Sequence, residues 1–589
     1  MTHIIAFFTY DSKKAEDDSS AFLMQEDRRL ADCRERIYSN AYGDYLFEYQ
    51  GRQEELAQYF EEDCVQIIDD RYAVAYIPRE TRLQYQTLFN TGIIYSMVPK
   101  CYGLMDASSM EASGISAVSG SSLYGYTGRG TICCVIDTGI DYQADAFIRE
   151  DGTSRILGIW DQTVEDGEPP ESLLYGAWYD RDRINQALKS ENPLTVVPEE
   201  DTNGHGTFSA SIAAGSREYF GAAPDAELLI IKLKPAKSYL KWVFGIAEEQ
   251  PAFQENDIMA GLAVAVRYAR RRAKPLSVCL GLGTSSGAHA GDNALAQMVS
   301  YQSVMENVFI SIAAGNEGNA RLHAQGAGSL TVVEFNVGSA EDILVMELWG
   351  IAPDTYSVGF ETPDGSVIAR IPPRFNATEQ INFAIGGTML NVNYTLVEAQ
   401  SGNELVYIWM YKPLPGLWRL NVYGEGITSN GFHIWMPIRQ YVQPDTYFLT
   451  STPDVTLTSP ADGVNASAVT AYNHRTGAIS LEASRGYTLN QNMKPDIAAP
   501  GVEVMGIGRR GISEQRSGSS VAAAHVAGAG CLLQQWTLEN PVPALTGVQL
   551  KQYLIRGAVR DARLTWPSRL WGWGILNLLS VFDTLRRGV

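Results

Sequence analysis

From Gly130 onward, short and nearly continuous apolar runs alternate with stretches of helical spacing. The runs are Thr131–Ile136, Leu228–Leu233, Leu276–Leu280 and Val308–Ala313. A strand that is apolar throughout is buried on both faces, as in a parallel sheet covered by helices. Apolar positions recur at helical spacing over Ile258–Arg271 and Asn293–Glu306, the crossovers such a sheet needs.

Between about Ala324 and Gln443 the texture changes. Short alternating segments follow one another: Thr331–Val337, Ile343–Trp349, Tyr356–Glu361, Asn391–Glu398, Leu417–Tyr423 and Gly431–Met436. Turn residues separate them and helical periodicity is absent, which predicts an antiparallel sandwich or jelly roll. After about Asp454 the α/β texture returns, with a long helix from Ser519 and a last one near Leu576–Leu585. The β unit therefore reads as an insertion into an α/β domain. Residues 1 to about 95 mix charged helical stretches (Ala21–Tyr38, Arg52–Asp63) with a strand, Arg71–Pro78, and predict a small α+β unit. The expected division is 1–96, 97–323, 324–446 and 447–589, the second and fourth segments forming one domain.

Length and composition fit this division. At 589 residues the chain exceeds a single core of about 150 residues. Its formal charge of −21 argues against nucleic acid or anionic membrane as a partner. No apolar run reaches the roughly 18 residues that span a bilayer. The first residues, from Met1 to Asp11, lack a basic segment and a small-residue cleavage site, so they read as a strand rather than a secretory signal. The seven cysteines are odd in number and several sit in apolar runs; they are read as reduced core residues.

Reactive residues stand where strands end and helices begin. Asp137 closes the run Val135-Ile-Asp-Thr-Gly-Ile-Asp141. His205 lies between two glycines in Asn203-Gly-His-Gly-Thr207, at the head of an Ala-rich helix. Ser520 opens the small-residue helix of Gly518-Ser-Ser-Val-Ala-Ala-Ala-His-Val-Ala-Gly528, where free N–H groups favour a developing oxyanion. Asn316, in Ala313-Ala-Gly-Asn316, ends a strand with an amide that can donate to a carbonyl oxygen. A serine, a base and an orienting carboxylate make a nucleophile, and the chain order Asp, His, Ser is neither that of chymotrypsin nor that of the α/β-hydrolases. A lipase or esterase would need a Gly-x-Ser-x-Gly elbow, absent at Ser520.

These blocks, together with Lys494-Pro-Asp-Ile-Ala-Ala-Pro-Gly501, resemble the subtilase family of serine proteases. The resemblance implies a catalytic triad of Asp137, His205 and Ser520, an oxyanion donor at Asn316, and a substrate-binding strand through Gly281, Leu282 and Gly283. Three positions depart from the family pattern: Ser519 and Val521 replace the threonine and methionine of Thr-Ser-Met, and Ala524 stands where proline is usual. None removes a catalytic group. The N-terminal unit resembles a subtilase propeptide, cleaved between about Tyr95 and Cys101 and serving as a partner of its own enzyme.

Tyr102-Gly-Leu-Met-Asp106, Ile159-Trp-Asp-Gln-Thr163 and the inserted β unit resemble, more narrowly, the clostridial Csp germination proteases. That resemblance implies a protein substrate, the precursor of a spore cortex hydrolase, and a bacterial, spore-associated setting. Cytoplasm and export by an undisplayed route are the other settings. No cofactor is required by this chemistry; calcium is common in the family, and Asp141, Asp145 and Asp161 are near one another in sequence without forming an assignable site. The rival reading is a regulator that keeps the fold and acts by binding.

Overall fold

The computed structural model describes residues 33–49, 64–78, 98–104, 109–120, 124–216, 219, 221–373, 378–382, 387–426, 428 and 430–586, with backbone alone at 101–104 and 378–382. The expected helix at Arg52–Asp63 and most of that at Ala21–Tyr38 lie outside these residues; 33–38 are helical.

A twisted sheet of nine strands forms the centre. Its order is Ala478–Ile479, Ser467–Asn473, Val308–Ala313, Leu276–Leu280, Ile132–Asp137, Glu227–Lys232, Ile156–Asp161 and Ala177–Asp180, with Ile497–Pro500 also pairing to Ser467–Asn473. The six strands from Ser467–Asn473 to Ile156–Asp161 run parallel. The four apolar runs read from the sequence are all in it, buried on both faces by helices. The helices Glu255–Arg271 and Ala294–Gln302 pack on one side. His205–Ala214 and Ser519–Glu539 pack on the other.

Strand order explains where a site forms. From Ile132–Asp137 the chain builds outward one way, through Ile156–Asp161 and Glu227–Lys232. It then crosses back to Leu276–Leu280 on the other flank. The crevice at the carboxyl ends of those two neighbouring central strands is the topological switch point, where open α/β sheets hold ligands. Asp137 ends one strand and Gly281 follows the other.

The inserted unit leaves the sheet after Val308–Ala313 and returns at Ser467–Asn473. It consists of a six-stranded and a five-stranded antiparallel sheet whose inner faces share one core around Phe335, Leu348, Tyr356, Ile408, Trp418 and Phe432. At the N-terminus, Tyr42–Glu48, Tyr72–Pro78 and Cys64–Ile67 form a three-stranded antiparallel sheet with Tyr72–Pro78 in the middle.

The cysteine reading needs correction. Cys33 and Cys64 are joined by a disulfide, with their Cα atoms 5.3 Å apart. The helical turn at 33–38 folds back onto the strand Cys64–Ile67, a proximity that a 31-residue separation does not reveal. Cys133, Cys134, Cys279 and Cys531 are buried free thiols, as read.

Candidate active site

The serine helix is unusual in being buried from Ser519 to Gln535, the whole way across the domain. Its small residues permit that. A Cβ on Gly528 would lie 2.5 Å from the Ala213 carbonyl oxygen, so only glycine lets this helix meet the histidine helix so closely. Two hydroxyls from the sheet fix its height: Ser277 donates to the Ala527 carbonyl at 2.6 Å and Ser311 to that of Ala523 at 2.7 Å. Ser520 is thereby held at a fixed point over the switch crevice.

The histidine helix opens at His205 after Gly204, whose φ of 87° turns the chain sharply into it. His205 Nε2 lies 3.1 Å from Ser520 Oγ, and its Nδ1 lies 2.8 Å from both carboxylate oxygens of Asp137. All three side chains are buried. The Thr138 backbone N–H donates to Asp137 Oδ1 at 2.7 Å, fixing the carboxylate that faces the imidazole. A carboxylate at Nδ1 puts the proton there and leaves Nε2 as the acceptor for a serine proton.

Asn316 Oδ1 accepts the Ser519 N–H at 3.0 Å. That bond fixes the asparagine amide against the residue next to Ser520. Ser519 Oγ in turn accepts from the Gly315 N–H at 3.1 Å, so the residue replacing the usual threonine ties the asparagine loop to the serine helix.

Gly281 closes the set. A Cβ there would sit 3.0 Å from both His205 Cε1 and Ser520 Cβ, so the floor must be bare backbone. The next residues, Leu282–Gly283, pair antiparallel with Cys101–Leu104 of the same chain, Leu104 opposite Leu282 and Gly103 opposite Gly283. The other edge of that segment pairs with Phe253–Gln254. An extended peptide thus lies as the middle strand of three, its Leu104 end nearest the Gly281 floor. Beyond it, the Ser109 N–H donates at 2.7 Å to Nε2 of His525, which sits on the serine helix. His525 Nδ1 meets the Val521 carbonyl at 2.7 Å, and burial pushes this histidine's pKa down to about 4.

The acidic residues singled out for calcium do not converge. Asp141 and Asp145 line a polar cavity of about 390 Å³ with Gln143, Tyr219 and Arg510. Asp161 faces the Lys232 ammonium at 3.3 Å. Among the described residues no group of three His, Cys, Asp or Glu side chains is placed to hold a metal ion. Asp201, which the sequence reading passed over, lies just behind the histidine. An acid four residues before a helix-opening histidine was the available signal.

Fold, switch-point crevice and the Asp–His–Ser geometry define a hydrolase built on the subtilisin plan. The chain belongs to the subtilase family of serine proteases: the Subtilase family model matches residues 128–389 and 440–574. Among solved structures it is similar to the CspB protease of Clostridium perfringens, 28% identical with a TM-score of 0.73 over 81% of this chain and 99% of that one. A serine-to-alanine mutant of the PatA protease domain also matches, 15% identical over 79% of this chain and 98% of that one, at a TM-score of 0.40. No curated protein matches the chain. Among the described residues no helix is long and apolar enough to cross a membrane.

Proposed function

We propose that Asp137, His205 and Ser520 are the catalytic triad of an endopeptidase whose first substrate is its own chain, cut between Leu104 and Ser109. The observation that carries this reading is the docking of Cys101–Leu104 between Leu282–Gly283 and Phe253–Gln254, in register with the Gly281 floor. Backbone pairing of this kind presents an extended peptide whatever its side chains. Ser109 is anchored in turn by its N–H to His525 of the serine helix, so the two anchors bracket the proposed cut. The cut so placed falls a few residues beyond the Tyr95–Cys101 window expected from family resemblance.

In this reading Ser520 Oγ attacks the scissile carbonyl carbon as its proton passes to His205 Nε2. Asp137 stabilises the imidazolium. The oxyanion takes a hydrogen bond from the Asn316 amide; in subtilisin, loss of such a side-chain donor costs about 2.7–4 kcal/mol. Collapse expels the amine, protonated by His205, and water then releases the acyl group by the same steps in reverse.

Beyond self-cleavage, similarity to the CspB protease supports a protein substrate. The resemblance of the sequence blocks to the Csp germination proteases extends the reading to spore germination, where the chain would activate the precursor of a cortex hydrolase. Intact mass of the wild type beside Ser520→Ala tests the central step. The wild type is expected as two pieces divided between residues 104 and 109, and the variant as one. If both stay whole and a fluorophosphonate fails to label the wild type, the binding-regulator reading takes over.

A further inference from the structure

Behind the Asp137–His205 pair lies a carboxylate that the triad chemistry leaves unused. Asp201 is buried, 2% exposed, on the loop that leads into the histidine helix. Five donors converge on it. Oδ1 accepts from Thr138 Oγ1 at 2.9 Å, from the Gly204 N–H at 2.8 Å and from the Asn203 N–H at 3.2 Å. Oδ2 accepts from the Thr207 N–H at 2.9 Å and from Thr207 Oγ1 at 2.7 Å.

The two threonines stand on opposite loops. Thr138 follows the catalytic aspartate, and Thr207 is in the first turn of the histidine helix. Each hydroxyl gives its proton to Asp201, which turns its lone pairs toward the other loop. Thr138 Oγ1 accepts the Gly206 N–H at 2.9 Å, and Thr207 Oγ1 accepts the Asp141 N–H at 2.8 Å. The exchange is reciprocal, and a single carboxylate sets both halves of it. It also needs the two loops in contact: a Cβ on Gly206 would lie 2.2 Å from the Gly139 carbonyl oxygen.

We infer that Asp201 is a positioning residue for the reaction, orienting Thr138 and Thr207 so that the aspartate loop and the histidine helix are locked in the register that brings Asp137 to His205. This rests on the protease reading above. A structural brace and a positioning device differ in what they move. Loss of a brace lowers stability. Loss of a positioning residue loosens the reacting geometry, and displacements of about 1 Å cost on the order of 100-fold in rate.

Charge gives a second readout. Asp201 sits one hydrogen-bonded layer behind Asp137, so its removal lowers the pKa of His205. The other charged groups near the pair include Asp141 and Glu199, whose charges act on Asp201; Arg509 and Arg516, which flank Gly204; and Lys232, opposite Asp137 in the sheet and turned toward Asp161 and Glu199. They are the same in wild type and variant, so the shift isolates Asp201.

The test is Asp201→Asn, with Thr138→Val as the milder companion. Each is assayed on a fluorogenic peptide carrying residues 99–111 of this chain, with thermal melting as a control of folding. For Asp201→Asn we expect kcat to fall 10- to 100-fold, KM to stay within about twofold, and the acid limb of the rate profile to move down by about half a pH unit. Thr138→Val is expected to lose kcat less and to leave the acid limb in place. Wild-type kcat and an unmoved acid limb in Asp201→Asn, with only the melting temperature lowered, would overturn the inference. The low-field Nδ1 proton of His205, followed by NMR, reports the Asp137–His205 bond without turnover. It should broaden or shift upfield in Asp201→Asn even if wild type and Ser520→Ala prove equally inert, and an unchanged resonance would equally overturn the inference.

Discussion

The N-terminal unit and the inserted β unit both grip the catalytic domain through apolar contact, and they differ in what accompanies it. On the N-terminal side Ile37, Leu46, Val74 and Tyr76 join the core of the catalytic domain, and a buried polar cluster lies beside them. Asp44 is fully enclosed, where it meets the Lys237 ammonium and accepts from Gln254 Nε2 at 2.8 Å. Lys237 also donates to the Arg36 carbonyl at 2.9 Å, and Tyr38 hydroxyl to that of Gln162 at 2.9 Å. On the β side the contact is aromatic. Trp242 packs on Trp409 with ring centroids 4.6 Å apart, and His289, Trp435 and His323 stack face to face.

Apolar contact tolerates imperfect partners and suits a unit tied to the domain at both ends. A buried ion pair is different: intact it contributes little net stability, but the loss of one member strands the other charge. Such a contact specifies one pose. On the self-cleavage reading proposed above, in which this unit presents Cys101–Leu104 in one register, specificity matters more than strength.

The largest effect expected from this contrast is at Asp44. Asp44→Ala leaves Lys237 buried without its carboxylate and should cost about 3–5 kcal/mol. In full-length Ser520→Ala this would appear as a lower urea midpoint. In cleaved wild-type background it would appear as separation of the N-terminal piece on gel filtration. Retention of that piece by Asp44→Ala, with no loss of stability, would mean the polar contact is incidental.

How much of this was legible follows from which faces each element buries. The four buried strands could be read because a two-sided parallel strand is apolar throughout, and Thr331–Val337 because a one-sided strand alternates. Glu404–Tyr411 fits neither pattern and was missed. It is a central strand of the sandwich with Val406, Ile408 and Met410 in the sandwich core, while Leu405, Tyr407 and Trp409 pack in the aromatic contact with the catalytic domain. Only the second contact makes its outer face apolar, and a local pattern carries no record of it. The site residues were legible because each stands in a short block with a strained or small-residue surround. Asp44 was not, because burial by distant segments, rather than local spacing, distinguishes it from the other acids; Asp201 carried a local signal, its place four residues before the histidine, that was passed over.

The next effect in size is on pH. Burial holds His433 at about 4 and His323 well below its ordinary value, with each ring's neighbours adding to the depression. His323 Nε2 and His433 Nδ1 share a hydrogen bond at 2.9 Å that needs one proton, not two. A histidine depressed in the folded state contributes stability that is present above its unfolded pKa of about 6.5 and is lost as pH falls toward the folded value. Below pH 6.5 each ring should therefore cost up to about 1.4 kcal/mol per pH unit. Melting followed by tryptophan fluorescence should show the β unit failing first in acid. His433→Gln should flatten that dependence, while an unchanged slope would remove the stack as its cause.

The smallest effect gives the cleanest comparison, because one short helix, Ser238–Val243, carries both contacts. Tyr239 on this helix accepts the Asp44 N–H at 2.7 Å, from the N-terminal side. From the β side, the Tyr407 hydroxyl donates to the Val243 carbonyl at 2.8 Å. Replacing each tyrosine by phenylalanine deletes the same atom on either side of one element. Tyr239→Phe deprives a buried donor of its acceptor and should cost about 1–3 kcal/mol, loosening the N-terminal piece after cleavage. Tyr407→Phe removes a donor from a carbonyl, leaves the aromatic packing in place and should cost about 1 kcal/mol without releasing anything. Equal costs, or release of the N-terminal piece by Tyr407→Phe, would mean that the two contacts are coupled through the helix, and the polar and aromatic grips would then have to be treated as one interface.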